Sequence, residues 1–211
     1  MELTKYEHAC FTVEKDGKSL VVDPGAFTTD LTIPKNVVAV IITHDHGDHF
    51  DEDQLADILT KNPTAIVIGP RSVTAKLSSY DTKAVHGGDS FALEGFDLDF
   101  YGDDHAVIHS DIPLIDNVGV LIEDRIYYPG DSFTMPEKSV DVLALPVSAP
   151  WLKLSESIEF MKSVGARVTF PTHDGILSSA GKQIVDTMLD KFSEAANTEY
   201  TRIDGEAIEI E

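Results

Sequence analysis

A run of apolar residues that ends in a cluster of histidines constrains this chain more than any other feature. The run VVAVII, from Val37 to Ile42, is typical of a strand that is buried on both faces of a sheet. It leads directly into HDHGDH, where three histidines and two aspartates fill six positions. Two interpretations compete: a metal site at the end of a strand, or a polar surface loop that is rich in histidine.

The residue types in this cluster favour the metal site. Imidazole nitrogens and carboxylate oxygens are the usual protein ligands of zinc and similar ions, and Gly47 would permit the sharp turn that a compact site needs. His44 and His46 alternate and could bind one ion together, whereas Asp48 and His49 point elsewhere and could hold a second ion. One loop cannot complete two coordination shells, so the sequence predicts further ligands at other strand ends.

Residues of the required kind follow three later β-rich runs. His105 and His109 come after the run 96–101, Asp131 after 125–128 and His173 after 167–170. Loops that follow strand ends gather at one edge of a pair of packed sheets, so these side chains are predicted to meet the first cluster. That convergence makes the surface-loop interpretation improbable.

The rest of the chain predicts short strands interleaved with helices. The Asp-Gly pair in EKDGKS indicates a hairpin turn, and DGEA near the end of the chain suggests a hairpin between residues 199–203 and 207–210. Predicted helices cover 53–60, a short segment that begins at Ser72 as its N-cap, the segment SESIEFMKSVG with a serine cap, and 181–194. Predicted strands cover 3–6, 10–14, 19–23, 37–43, 65–68, 96–101, 118–123, 125–128, 140–145 and 167–170. This order suggests two mixed sheets packed together with helices outside.

Length and charge limit the remaining possibilities. A chain of 211 residues with 42% hydrophobic residues fits a single domain over residues 1–211. A formal net charge of −21 repels polyanions and argues against a nucleic-acid partner. The single Cys10, an N-terminus without signal-peptide features and the lack of a membrane-length apolar window favour a cytoplasmic protein that does not insert into membranes. The oligomeric state stays open.

At this point the chain resembles the metallo-β-lactamase superfamily. Its motif H-x-H-x-D-H appears as His44, His46, Asp48 and His49, and a later His, a Gly-Asp and a final His follow in the family order as His105, Asp131 and His173. The segment EHACFTVEKDGKSLVVDPG is similar to the opening strands of the family. The early His8 is similar to the branch that contains L-ascorbate-6-phosphate lactonase and many metal-dependent hydrolases.

This resemblance implies a fold and a complete set of ligands. The fold would be an α/β four-layer αβ/βα sandwich of two mixed β-sheets flanked by helices. His44, His46 and His105 would bind one divalent ion, Asp48, His49 and His173 a second, and Asp131 would bridge both. Zinc is the first expectation, with Mn²⁺ or Fe²⁺ as alternatives. The resemblance favours His105 over His109 because the family ligand sits at the strand end.

Supporting roles are expected for three further residues. Asp23 would orient the histidine loop through hydrogen bonds, His8 would lie near the site or be structural, and His109 would be a pocket residue or a plain loop histidine.

The function implied is that of a metallo-hydrolase. A hydroxide shared by two ions would attack an ester, lactone or phosphoester bond of a small molecule, with Asp48 and Asp131 as catalytic residues and Asp48 as proton shuttle. A nucleic-acid-processing phosphodiesterase of the same superfamily and a metal-binding protein without turnover are the alternatives. The charge and the lack of a Lys/Arg cluster weigh against the first, and the complete ligand set weighs against the second.

Overall fold

Two sheets of seven strands each form the centre of the computed structural model, which describes residues 1–210. The first sheet has the order β14-β1-β2-β3-β4-β5-β6. Its strands are β1 (Glu2–Lys5), β2 (Phe11–Lys15), β3 (Lys18–Val22), β4 (Val37–Ile41), β5 (Ile66–Gly69), β6 (Thr82–Ala84) and β14 (Ala207–Glu209).

The second sheet has the order β13-β12-β11-β10-β9-β8-β7. Its strands are β7 (Ser90–Leu93), β8 (Phe96–Tyr101), β9 (Gly119–Ile122), β10 (Ile126–Tyr128), β11 (Val142–Pro146), β12 (Val168–Thr172) and β13 (Glu199–Tyr200). The helices are α1 (Glu52–Lys61), α2 (Arg71–Thr74), α3 (Leu154–Val164) and α4 (Ser179–Ala196).

The packing of side chains produces four layers. One apolar cluster lies between the sheets, where Phe11 of the first sheet contacts Tyr128 and Phe170 of the second edge to face. A second cluster joins the first sheet to α1, and a third joins the second sheet to α3 and α4. The predicted sandwich of two mixed sheets flanked by helices is therefore confirmed.

The apolar run before the histidines has the predicted double burial. In β4, Ala39 and Ile41 face the other sheet, whereas Val40 and the following Ile42 pack against α1. All four side chains are fully buried, and each larger one contributes about 1.5–3 kcal/mol relative to exposure. The strand is thus held on both faces at the point where the histidine loop leaves it.

The Asp-Gly hairpin is confirmed as well. Strands β2 and β3 pair antiparallel up to Lys15 and Lys18, which leaves Asp16 and Gly17 as a two-residue turn. Both turn residues have positive φ, 53° and 73°, as a type I′ turn requires.

The predicted C-terminal hairpin is wrong. Strand β13 pairs parallel with β12, and β14 pairs antiparallel with β1, so the two segments belong to different sheets. The turn signal in DGEA is local, whereas each sheet has an open edge strand that offers more backbone partners than an isolated hairpin would.

Smaller errors concern helix starts and short strands. Helix α2 begins at Arg71 after Pro70, so Ser72 is not its N-cap, and α3 begins after Lys153 rather than after a serine cap. The short strands β6 and β7 were not predicted, because their exposed residues carry little apolar periodicity.

The topology gathers strand ends at one edge. Strands β3, β4, β5 and β6 run parallel in the first sheet, as do β10, β11, β12 and β13 in the second. Within residues 1–210, no helix has the length and apolarity needed to cross a bilayer. The single domain over residues 1–211 stays a prediction, and residue 211 lies outside the described part of the chain.

Candidate metal centre

The residues predicted as metal ligands converge at this edge in two groups, one of which also includes His8, predicted only as a neighbour of the site. The first group consists of His44, His46, His105 and Asp131. The second consists of His8, Asp48, His49 and His173. A third group overlaps them and consists of Asp23, His44 and His49. In each group the ligand atoms lie within 4.8 Å of one another, close enough to share an ion. Segments far apart in the chain therefore meet at one place, as the sequence predicted.

Asp131 lies between the two groups. Its Oδ2 is 3.3 Å from His105 Nε2 and 3.0 Å from His173 Nε2, and its Oδ1 is 3.3 Å from His49 Nε2. One carboxylate thus touches ligand candidates of both groups. This is the position that a bridging residue needs, although the roles of individual ligands stay predictions.

The Nδ1 atoms of four histidines are engaged away from the cluster. His44 Nδ1 lies 3.0 Å from Thr43 Oγ1, and His49 Nδ1 lies 2.7 Å from Asp23 Oδ2. His105 and His173 pair through Nδ1 with the backbone carbonyls of Ala106 and Ser148, each at 2.5 Å. These acceptors place the proton of each neutral ring on Nδ1. The lone pair of Nε2 is then free to bind a metal ion.

Buried polar atoms without a hydrogen-bond partner indicate whether a metal ion fits this centre. Nε2 of His44, His49 and His105 and Oδ1 of Asp131 are buried without a hydrogen-bond partner. Buried polar atoms are nearly always paired, so four orphans in one place call for an explanation. A divalent ion that accepts imidazole and carboxylate ligands supplies that partner, and the donor set fits zinc, manganese or iron.

Asp23 organises the histidine loop as predicted. Its carboxylate accepts hydrogen bonds from the backbone N–H of Thr43 at 2.8 Å, from the Thr43 hydroxyl at 2.7 Å and from His49 Nδ1. Thr43 in turn accepts from His44 Nδ1, so one buried carboxylate orients two histidines.

His8 forms a hydrogen bond with the Asp48 carboxylate. The backbone N–H of Gly175 donates to His8 Nδ1 at 3.1 Å, so the proton of the neutral ring is on Nε2, which donates to Asp48 Oδ2 at 3.1 Å. His8 also accepts from the His173 backbone N–H through its own carbonyl. The loop before β2 thus fixes a carboxylate and a histidine of the second group.

Burial and neighbouring charges set the protonation of the cluster. Burial, with His49 nearby, holds the pKa of His44 well below its ordinary value, which keeps the ring neutral as metal binding requires. Burial alone would raise the pKa of Asp131, but His49, His105 and His173 hold it well below the usual range. Burial opposes the charged form of His173, yet Asp131 and Asp48 outweigh it and raise the pKa of His173 to about 10. Without a metal ion, His173 therefore carries a second proton, on Nε2, which a bound ion would displace.

His109 is not brought into the cluster. Its side chain is 63% exposed, lies 3.8 Å from Asp111 and accepts from the backbone of that residue. His105, by contrast, is buried among the other ligand candidates. The geometry therefore supports His105 as the third ligand of the first group.

Glycine matters at positions other than the one expected. Gly47 has no positive φ and has nothing within 4 Å of where a Cβ would lie, so the turn does not depend on it. A Cβ on Gly25 would lie 1.8 Å from the carbonyl oxygen of Asp48, and one on Gly130 (φ +64°) would lie 2.3 Å from Asn117 Oδ1. Both glycines let backbone approach the metal cluster closely.

Two supporting residues were missed by sequence reasoning. The indole N–H of Trp151 donates to Asp131 Oδ2 at 2.9 Å. Buried Asn117 accepts from the Asp131 backbone N–H at 2.9 Å and donates to the carbonyl of Pro129 at 3.0 Å. Only the position of Trp151 after a strand hinted at a place near the site.

The remaining polar candidates have ordinary surroundings. Asp45 pairs with Lys76 at 2.7 Å at the surface, and His86 is exposed beside Asp89. Cys10 is buried, and burial raises the pKa of its thiol far above the ordinary value, which makes it a poor nucleophile.

Comparison with known proteins identifies the family. The family described as beta-lactamase superfamily domain matches residues 2–173. The chain belongs to the beta-lactamase superfamily. It is 35% identical to protein Rv0786c of Mycobacterium tuberculosis over 189 residues, which cover 87% of this chain and 89% of that protein. It is 25% identical to the UPF0173 metal-dependent hydrolase BCE33L4354 of Bacillus cereus, over 82% of this chain and 85% of the relative.

A solved structure shows the same superfamily fold. Igni18, a metallo hydrolase from the archaeon Ignicoccus hospitalis, superposes with a TM-score of 0.76 at 17% identity and covers 100% of this chain and 99% of its own. The predicted superfamily is confirmed by the family match over residues 2–173. The more specific resemblance to the L-ascorbate-6-phosphate lactonase branch stays a prediction.

Proposed function

We propose that this superfamily member is a metal-dependent hydrolase that holds two divalent metal ions and cleaves an ester, lactone or phosphoester bond of a small molecule. One observation carries the proposal: two groups of ligand atoms meet at Asp131, and buried atoms in the centre have no partner in the protein. Relatives named metal-dependent hydrolases support the reaction class.

The residues fit two ions of the kind that prefer nitrogen and oxygen ligands. His44, His46 and His105 would hold the first ion and Asp48, His49 and His173 the second, with Asp131 shared. Zinc is the first choice, with Mn²⁺ or Fe²⁺ as alternatives. When bound, such a pair supplies Lewis acidity and lowers the pKa of water toward neutrality.

Side chains and backbone carbonyls of the protein orient the predicted ligands, and one carboxylate could transfer a proton. Asp23, Thr43 and the two backbone carbonyls aim Nε2 of four histidines at the centre. Asp48 is the carboxylate open to solvent, with 22% of its side chain exposed, whereas Asp131 is 3% exposed. This exposure supports Asp48 as the group that passes a proton between substrate and solvent, and the His8 N–H donates a hydrogen bond to it.

The charge of the molecule supports a small substrate over a nucleic acid. A formal charge of −21 repels a polyanion, and only 16 of the 211 residues are Lys or Arg.

The first experiment is elemental analysis of protein purified without added metal, combined with a panel of lactones, esters and phosphodiesters. About two ions per chain are expected, with hydrolysis lost on chelation and restored by metal. Two ions without any turnover would reject the hydrolase, and absence of metal even after reconstitution would reject the metal centre.

A matched pair of histidine variants separates the site from the loop. His105→Ala should lose about one ion per chain and most activity, whereas His109→Ala should keep both, since His109 is exposed outside the cluster. Asp131→Ala should lose metal and activity together, and full occupancy in that variant would contradict a bridging role.

A further inference from the structure

Most of the exposed large apolar side chains of this protein lie in segments that follow the strand ends of the predicted metal centre. Among the described residues, eight large hydrophobic side chains are exposed. Only Tyr80 and Ile184 lie away from the segments that follow the strand ends of the site. The other six are Phe27, Val107, Ile112, Leu114, Met135 and Ile176, each between 44% and 65% exposed.

Those six belong to segments that carry or adjoin the predicted ligands. We call residues 23–34, 42–51, 102–118, 129–137, 147–152 and 173–178 the mouth loops. Each contains a ligand candidate or a residue bonded to one: Asp23, the histidine loop, His105, Asp131, Trp151 and His173. A protein with a formal charge of −21 thus exposes apolar side chains mainly at this end.

Contacts tie this apolar surface to the cluster itself. The Phe27 ring lies edge-on to the His8 ring with centroids 5.1 Å apart, and His8 is bonded to Asp48. Gly175, next to Ile176, donates to His8. The half-buried Trp151 donates a hydrogen bond to Asp131. The apolar groups therefore continue into the reaction centre.

The mouth loops also lack positive charge of their own. None of the six segments contains a Lys or Arg, while they carry Asp30, Asp103, Asp104 and Asp111 among other acids. Four cationic side chains from other segments form ion pairs with residues of the mouth loops. Lys76 pairs with Asp45. Lys5, Lys182 and Arg202 all pair with Asp174. In the described ion pairs no Lys or Arg contacts a predicted ligand. Proteins that recognise phosphate usually supply such a side chain.

We propose that the substrate is an uncharged carboxylic ester or lactone with an apolar acyl group that lies on Phe27, Ile176 and the 102–118 loop. This rests on the proposed function and narrows it, since it disfavours phosphoesters. In the reaction, the oxygen of water forms a bond to the acyl carbon and the acyl C–O bond breaks. The leaving oxygen takes one proton, so an ester gives a carboxylic acid and an alcohol, and a lactone gives a single hydroxy acid.

The test compares substrates that share one leaving group. p-Nitrophenyl acetate, p-nitrophenyl hexanoate, p-nitrophenyl phosphate and bis(p-nitrophenyl) phosphate are assayed with metal-loaded protein, and Asp131→Ala serves as background. Hexanoate should exceed acetate in kcat/KM by about tenfold, and both phosphoesters should be slower than the esters. A faster phosphoester, or equal rates for the two esters, would overturn the inference and leave the hydrolase in place.

Variants locate the apolar contact. Phe27→Ser and Ile176→Ser should each reduce the preference for hexanoate over acetate, measured as the ratio of the two kcat/KM values, by roughly threefold or more. Ile184→Ser is the matched control, because Ile184 is 64% exposed on α4, outside the mouth loops. An equal effect of Ile184→Ser would contradict the assignment.

If no substrate is hydrolysed, that result rejects the proposed function but not the apolar acyl contact. A binding measurement then tests the contact separately. Trp151 is the only tryptophan, so its fluorescence reports binding beside Asp131. Hexanamide should bind more tightly than acetamide, and Phe27→Ser should remove the difference. Equal binding of the two amides would overturn the inference independently of activity.

Discussion

At the scale of single residues, the position of Asp131 depends on groups outside the ligand set. Its carboxylate contacts three histidines and accepts a hydrogen bond from the Trp151 N–H, while its backbone N–H donates to Asn117 Oδ1. Neighbours of this kind fix the orientation of a ligand before metal arrives, and their loss typically weakens binding by about 10–100-fold.

Trp151→Phe should therefore weaken metal binding by about tenfold or more, since phenylalanine keeps the aromatic contact with Phe133 but lacks the N–H. The dissociation constant is measured by competition with a chromophoric chelator. Phe133→Leu is the control, because it alters the packing of the indole and leaves the hydrogen bond. Unchanged affinity in Trp151→Phe would show that the bond does not position Asp131.

A second prediction concerns close backbone approach. Gly25→Ala should destabilise the fold by about 3 kcal/mol, because its Cβ would lie 1.8 Å from the Asp48 carbonyl oxygen and the metal loop would have to move. Gly47→Ala, within the histidine loop itself, has no atom within 4 Å of its Cβ and should change stability little. Urea unfolding of the metal-free variants measures both, and a similar loss in the two would contradict the steric reason.

The ligand candidates could be predicted because their chemistry is local to strand ends. A buried strand followed by histidines and aspartates gives both a place and a ligand type, and the family resemblance ordered His105, Asp131 and His173. Trp151 and Asn117 could not be predicted in the same way. A tryptophan or an asparagine has many structural uses, and only the three-dimensional arrangement brings these two to Asp131.

At the scale of elements, α1 is coupled to the metal loop through its cap. The Asp51 carboxylate accepts from the Gln54 backbone N–H at 2.9 Å, and the Asp51 N–H donates to Pro24, beside Asp23. The helix thus begins three residues after His49, and its cap anchors the end of the histidine loop.

Asp51→Ala should cost about 1 kcal/mol of stability and also weaken metal binding. The matched control is Ser178→Ala, which removes the cap of α4 at a similar cost but lies away from the histidine loop. Thermal unfolding and chelator competition give the two readouts. Equal metal affinity in both variants would show that the α1 cap acts on the helix alone.

The elements also show where sequence patterns stop being informative. Buried strands such as β4 and hairpins with Asp-Gly turns are determined by neighbours in the chain and were predicted. The two C-terminal strands were assigned to one hairpin, whereas they close the edges of different sheets. Which edge a short exposed strand joins depends on the tertiary arrangement, because its own residues bury little apolar surface.

At the scale of the whole molecule, an ion network joins the N-terminal strand to the C-terminal segment. Fully buried Asp174, next to His173, lies 3.5 Å from Lys5 of β1 and 3.3 Å from Lys182 of α4, and it pairs with Arg202. Burial alone would raise the pKa of Asp174, but Lys5, Arg202 and Lys182 hold it below its ordinary value. The stabilisation is therefore present above the unfolded-state pKa and lost as the pH falls through the lower folded-state pKa.

Asp174→Asn should accordingly destabilise the protein by about 3 kcal/mol at pH 7, because it leaves three cations without their shared partner. The difference from the unsubstituted protein should shrink as the pH falls below about 4, where unfolded chains bind the proton. Asp141→Asn removes the carboxylate of an exposed pair with Arg125 and should cost less than about 1 kcal/mol. Urea unfolding of metal-free protein across this pH range measures both variants. If the loss of stability in Asp174→Asn stays constant down to low pH, its cause is altered packing. The buried charge would then not be what joins the two ends of the chain.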